Sequence, residues 1–384
     1  SDHPSYIWVM GLTVALDSFQ CIPFAYLRYK KRPIKFATLK LLFIAMTLGL
    51  NLLYYIALPA LYKDHPDIIG KIYDPTVGAG YAFYINLFCT GSISFCFIKE
   101  LTGFKYVFDK ALMKRMMSYS WPILILGIAG ILNQTADRIL FPYIYKGSDM
   151  NMQLGIYGAA SKIAMIMALI TQAFRYAYEP FVFGKAKEDD DRETYAKVMK
   201  YFVIFTLFAY LVVIGYLDIL KFIIGRDYWE GLRVVPIVMI GTMMYGIYFN
   251  LSFWYKLTDK TIWGAYFSGI GCTVLVISNI IFVPRYGYMA CAWSGITGYG
   301  TSMLISYFVG QKVYRINYPI GDMAKYLVLS IILNVGMYFS NKYLPDGGAV
   351  AVNTVLILIF GAYLVKKDFP LSRFPIVGKY FRHE

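Results

Sequence analysis

Five ionisable side chains crowd into two consecutive apolar stretches. Asp137 and Arg138 lie in 120–144, and Lys162, Arg175 and Glu179 lie in 153–183. A sixth, Asp17, sits midway along the apolar stretch 6–27. A charge at the centre of a membrane helix costs about 2.5–3.5 kcal/mol on insertion scales, and by default it marks a pathway. Asn133 and Asp137 are four residues apart, as are Gln134 and Arg138, so each pair shares a helical face. Arg138 lies roughly 9 Å from the nearer end of its stretch, within snorkelling reach. Lys162 lies roughly 13 Å deep, too far for easy snorkelling, and has no carboxylate at i±3 or i±4. Lys162, Gln172, Arg175 and Glu179 fall within an arc of roughly 140°, a polar face that must line water or meet a partner. Arg175 and Glu179, four apart, either neutralise one another or act separately. Asp17 either binds a cation or proton or pairs with a basic group on a neighbouring helix. Three acidic and three basic groups leave an unpaired remainder that is basic. Arg and Lys suit an anionic headgroup such as a pyrophosphate, whereas a cationic drug calls for net negative charge.

The elements that must position these groups are transmembrane helices. Of 384 residues, 58% are hydrophobic and 16% charged. Soluble domains average about 45–50% apolar and about 25% charged. Aromatic residues reach 18%, a composition suited to membrane interfaces. The expected fold is all-α: a polytopic membrane bundle of about eleven helices, at 6–27, 36–61, 77–98, 120–144, 153–183, 201–220, 232–255, 261–284, 287–311, 323–341 and 348–365. Barrel strands would be shorter and would alternate in polarity.

The net charge of +14 is a topology signal rather than a sign of nucleic-acid binding. Basic residues concentrate in alternate loops, as in Arg28–Lys35, Lys99–Arg115 and Lys185–Lys200, and in the tail after Lys366. The opposite loops hold few, such as Lys63, Lys146 and Arg226. The C-terminus is therefore expected in the cytoplasm and Ser1 outside. A chain opening in Ser-Asp-His-Pro is expected to lack N-terminal spans. The five Cys have no CxxC spacing and the three His lie in loops or tails, so no metal site, cofactor or His-based catalysis is indicated. Segment 99–119 places Leu101, Phe104, Phe108, Leu112 and Met116 on one face and cations on the other, an amphipathic surface helix between two lobes. This gives 1–98 as the remainder of an N-terminal lobe, 99–119 as linker, 120–311 as a six-helix C-terminal lobe, and 312–384 as two extra helices with a basic tail. Gly155, Gly158, Ala159 and Ala160 read as close helix contacts, with Gly295, Gly298 and Gly300 alike. Pro23, Pro122 and Pro236 read as breaks within spans.

Several stretches resemble the oligosaccharide flippase family of polysaccharide biosynthesis proteins, within the multidrug/oligosaccharidyl-lipid/polysaccharide exporter superfamily. They are Ile-Pro-Phe-Ala-Tyr-Leu-Arg-Tyr-Lys-Lys-Arg-Pro at 22–33, Asn-Gln-Thr-Ala-Asp-Arg at 133–138, Gly-Ile-Tyr-Gly-Ala-Ala-Ser-Lys at 155–162, Phe-Arg-Tyr-Ala-Tyr-Glu-Pro-Phe at 174–181, and Val-Pro-Arg-Tyr-Gly-Tyr-Met-Ala-Cys-Ala-Trp at 283–293. The resemblance implies two lobes around a central cavity and a non-enzymatic transporter of the inner (plasma) membrane. Its cargo would be a polyprenyl-diphosphate-linked oligosaccharide for surface polysaccharide or lipopolysaccharide, flipped to the outer leaflet by alternating access. Arg138, Lys162, Arg175, Gln172 and Asn133 would then bind substrate, and Asp17, Asp137 and Glu179 would serve ion coupling, to protons or sodium, or pairing. The resemblance leaves open a cation-coupled multidrug or small-molecule antiporter on the same fold.

Overall fold

The computed structural model describes residues 4–30, 32–70, 72–98, 102, 108–185, 192–258 and 260–368. They are helical throughout, with no strand among them. In chain order the helices are α1 (Pro4–Tyr29), α2 (Pro33–Leu52), α3 (Leu58–Asp64), α4 (Pro66–Ile69), α5 (Tyr81–Phe95), α6 (Lys110–Ile144), α7 (Met150–Lys185), α8 (Arg192–Gly215), α9 (Leu217–Leu220), α10 (Val235–Leu251), α11 (Phe253–Leu257), α12 (Ile262–Tyr286), α13 (Tyr288–Val313), α14 (Ile320–Tyr343) and α15 (Asp346–Lys367).

Eight helices among the described residues are long and apolar enough to cross a membrane. The chain is therefore a multi-pass membrane protein. The expected count of eleven is not reached, because the spans at 77–98, 120–144 and 287–311 fall on helices outside that set. In the first of these the helix proper has only 15 residues. It follows a 3-10 segment, Pro75–Gly80, in which Gly78 takes φ +48°, and Asp74 caps that segment through the Thr76 N–H at 2.9 Å. In α6 several side chains between 119 and 133 lie outside the described set, and α13 is diluted by Gly, Ser and Thr.

The chain divides into two compact units between Met113 and Lys114. Of the segment expected as a surface helix, 99–101 and 103–107 lie outside the described residues, while 110–119 form the first turns of α6.

In the first unit, α5 packs on α1 and α2. Phe24, Leu27, Leu39, Ile93 and Phe97 form its core. The buried Gln20 amide joins α1 to α5, donating to the Thr90 carbonyl at 2.6 Å and the Ser94 hydroxyl at 2.9 Å. Leu53–Ala57 widen into a π-turn just before Pro59, whose ring cannot donate and would crowd a normal turn.

In the second unit, α13 packs along α12 and α10, α10 along α7 and α8, and the α14–α15 pair along α8. Small residues permit the close approaches, as the sequence suggested for α13. A methyl on Gly298 would fall 2.7 Å from Leu275, and one on Gly241 would fall 3.4 Å from the backbone at Gly295 and Ile296. Pro236 starts α10 instead of breaking a span, in the first turn where its missing N–H costs nothing. At one end of the bundle Lys200 of α8 pairs with Asp368 after α15 and lies 3.5 Å from Asp322 of α14. Asp322 also takes Lys325 at 3.2 Å and Lys367 at 3.1 Å. This network ties α8, α14 and α15 together.

Candidate functional site

At the opposite end, α6 finishes where α7 begins, and a 3-10 segment, Arg226–Val234, leads into α10. The segment packs against α7. Gly231 is the contact point: a methyl there would come 2.8 Å from Ile156 and 3.2 Å from Ala160. Beside this contact lies a cavity of about 400 Å³, lined by Arg138, Lys162, Met165, Tyr228 and the small residues Gly155, Gly158 and Ala159. Two of the sequence-predicted binding residues, on different helices, thus meet at one space. Lys162 makes no hydrogen bond or ion pair among the described residues. The Arg138 guanidinium has no carboxylate partner either, lying instead 5.7 Å from the Tyr157 ring centroid.

Asp137 is taken up differently. Its carboxylate accepts from the Tyr157 hydroxyl and, at 2.9 Å, from the Arg138 backbone N–H. Tyr157 is 4% exposed, so the acid is held from the protein side, beside the Arg138 charge. The cavity is left with two positive side chains and, among its lining residues, no negative one.

The other candidates sit elsewhere. Arg175 lies further along α7, its guanidinium 4.8 Å from the Phe249 ring and 5.4 Å from Tyr176, with a buried Nε that has no hydrogen-bond partner. Gln172 donates to the Tyr176 hydroxyl at 2.9 Å. Asp17, on α1 in the first unit, is exposed, with no ion pair among the described residues. The side chains of Asn133 and Glu179 lie outside the described set, so the Arg175–Glu179 pairing does too.

The small residues of α7 split in role. Ala160 faces Gly231 in tight contact, as the sequence suggested, but Gly155, Gly158 and Ala159 line open space. A methyl on Gly158 would meet nothing within 4 Å. Tyr228 and Tyr157 were missed by sequence reasoning. Tyr157 lies next to residues singled out in the sequence, but nothing marks its pairing with Asp137, and Tyr228 follows a loop residue with no motif around it.

A second cavity, of about 570 Å³, opens between α8, α10, α13 and α14. Its walls are almost wholly apolar and include Met199, Met243, Met244, Met303 and Met323. Its rare polar groups are largely self-satisfied: the Asn334 amide donates to the Tyr210 hydroxyl at 3.3 Å. Among the described residues no three His, Cys, Asp or Glu side chains gather to hold a metal.

These features define a class first. The fold is similar to that of a solved helical membrane protein: 76% of the chain superposes on the lipid II flippase MurJ in an inward closed conformation, with a TM-score of 0.59 at 17% identity. The chain spans 64% of that protein's length. A family model described as polysaccharide biosynthesis protein matches residues 37–176, a stretch that contains Arg138, Lys162 and Arg175. The chain is thus similar to polysaccharide biosynthesis proteins over residues 37–176 and to the MurJ structure in its fold. No curated protein matches the chain.

Proposed function

We propose that the protein moves a polyprenyl-diphosphate-linked oligosaccharide from the cytoplasmic to the outer leaflet of the inner (plasma) membrane by alternating access, without chemical change to the cargo. The carrying observation is the pair of cations, Arg138 and Lys162, that border one cavity within apolar helices, with no ion pair to either among the described residues. Such charges are costly in the membrane, and a hydrated dianionic headgroup recovers that cost through charge-assisted hydrogen bonds. The apolar cavity of the same unit supplies a chamber for the polyprenyl chain. The C-terminal tail lies in the cytoplasm on this reading, and Asp17 or Asp137 couples transport to a proton or sodium gradient. The test is Lys162→Glu in cells whose only copy of the transporter is the variant, with surface glycan as readout. Loss of surface glycan is expected, and export at the wild-type level overturns the reading.

The methionine-rich lining of the second cavity favours one alternative, a multidrug antiporter, since flexible thioethers suit varied lipophilic ligands. Drug efflux that depends on Met243 and Met303 while glycan export stays unchanged would select it.

A further inference from the structure

The cationic cavity has a third kind of wall besides charge and bare backbone. Among the described lining residues Tyr228 contributes the one aromatic ring, 38% exposed. The ring stands over the part of α7 that lacks side chains: a methyl on Gly155 would press to 3.2 Å from it, while Gly158 and its surroundings stay open. The ring thus rests on Gly155, and the open slot lies beside it over Gly158, with the phenol as one wall and Arg138 and Lys162 on its border.

The segment that carries the ring is held in place from several directions. The Tyr228 N–H donates to the Gly225 carbonyl at 3.0 Å. The Trp229 indole donates to the Lys221 carbonyl at 3.1 Å, Lys221 pairs with Asp218 at 3.0 Å, and Gly231 locks the segment to Ile156 and Ala160. A rigidly presented ring discriminates between ligands better than a mobile one.

We propose that Tyr228 reads the first sugar of the cargo. This rests on the headgroup reading above and extends it. With the diphosphate between Arg138 and Lys162, the group attached to it enters the slot. A pyranose fits the chemistry there: its C–H face lies on the phenol ring, and its hydroxyls reach the Tyr228 hydroxyl and cavity water. A side chain at Gly158 would occupy the sugar's space, and one at Gly155 would displace the Tyr228 ring. Tyr228 and the two glycines set which sugar is accepted, whereas the cations hold any diphosphate.

The experiment uses the full chain in lipid nanodiscs and measures Kd for two probes, bare polyprenyl diphosphate and the same lipid carrying one hexose on the diphosphate. The quantity read is the ratio of the two affinities. Tyr228→Ala should cut the preference for the glycosylated probe about tenfold, Gly158→Leu should do the same by filling the slot, and Tyr228→Trp should retain the preference. Lys162→Gln should weaken both probes together and leave the ratio in place. A ratio unchanged in both Tyr228→Ala and Gly158→Leu, with Lys162→Gln still weakening both probes, overturns the sugar-reading role alone. If Lys162→Gln weakens neither probe, the headgroup reading fails and takes this inference with it.

Discussion

Two cavities in the second unit differ in almost every physical respect. One, about 400 Å³, is bordered by Arg138 and Lys162 and floored by Gly155, Gly158 and Ala159. The other, about 570 Å³, is walled by Met, Leu, Ile and Val from four helices, and its Asn334 is already bonded to Tyr210. The first keeps donors unspent and the second keeps almost none. A ligand with one strongly hydrated end and one long apolar end fits this division, and a ligand of uniform polarity would leave one of the cavities without a counterpart. The two rest on different physics. Charge recognition is directional and is lost on reversing a sign, whereas apolar burial scales with area and tolerates change of shape.

The comparison breaks most readily at the cations. Arg138→Glu with Lys162→Glu turns an attractive site into a repulsive one and should lower transport of a diphosphate-linked lipid by on the order of 100-fold or more, measured as glycan reaching the cell surface. Next in size, Ile331→Lys places a charge in the apolar cavity. It should weaken binding of a long-chain carrier by about tenfold or more while a short-chain, water-soluble diphosphate binds as before. Equal loss for both chain lengths would mean that the two cavities do not divide the ligand. Smaller again is Tyr157→Phe, which removes the hydroxyl that Asp137 accepts from and should cost about 1–3 kcal/mol of stability, read as a lower melting temperature in detergent. No change there would mean that Asp137 is free to face the cations, and the charge contrast between the cavities would shrink.

The smallest effect is at the rim. Asp149, just before α7, accepts from Gln153 and Tyr145, each at 2.9 Å, and these bonds hold its carboxyl below the ordinary 3.8. A lowered folded value means the contribution is present above the unfolded value and disappears as acid carries the pH down through the folded one. Asp149→Asn should therefore lower the melting temperature slightly at pH 7, and the difference should vanish toward pH 3.

Much of this was legible one helix at a time. Lys162 stood out because nothing within a turn of it neutralises its charge, and it lines the cavity with no ion pair among the described residues. Gly298 read as a contact residue and is one, whereas its counterpart Gly241 on α10 was not singled out. The failures have a common form. Gly158 matches the pattern of contact glycines but borders a void, and Gly155 meets the Tyr228 ring instead of a helix, because what lies opposite them is decided by packing far along the chain. Arg175 shares a face with Lys162 by helical spacing, yet its depth along α7 carries it to Phe249 instead. The span expected from 77 is apolar enough, but Pro75 and the positive φ at Gly78 replace its first turns with a 3-10 segment.

Hydrophobic run length and the cost of ions in lipid are local properties, so the amino-acid order by itself determined a helical membrane protein with rare charges placed at α6 and α7. Which side chains face those charges is a matter of how separate helices pack. Tyr228, Tyr157 and the methionine-lined chamber came only with the tertiary structure, because no periodicity within one helix encodes what an element dozens of residues away will present to it.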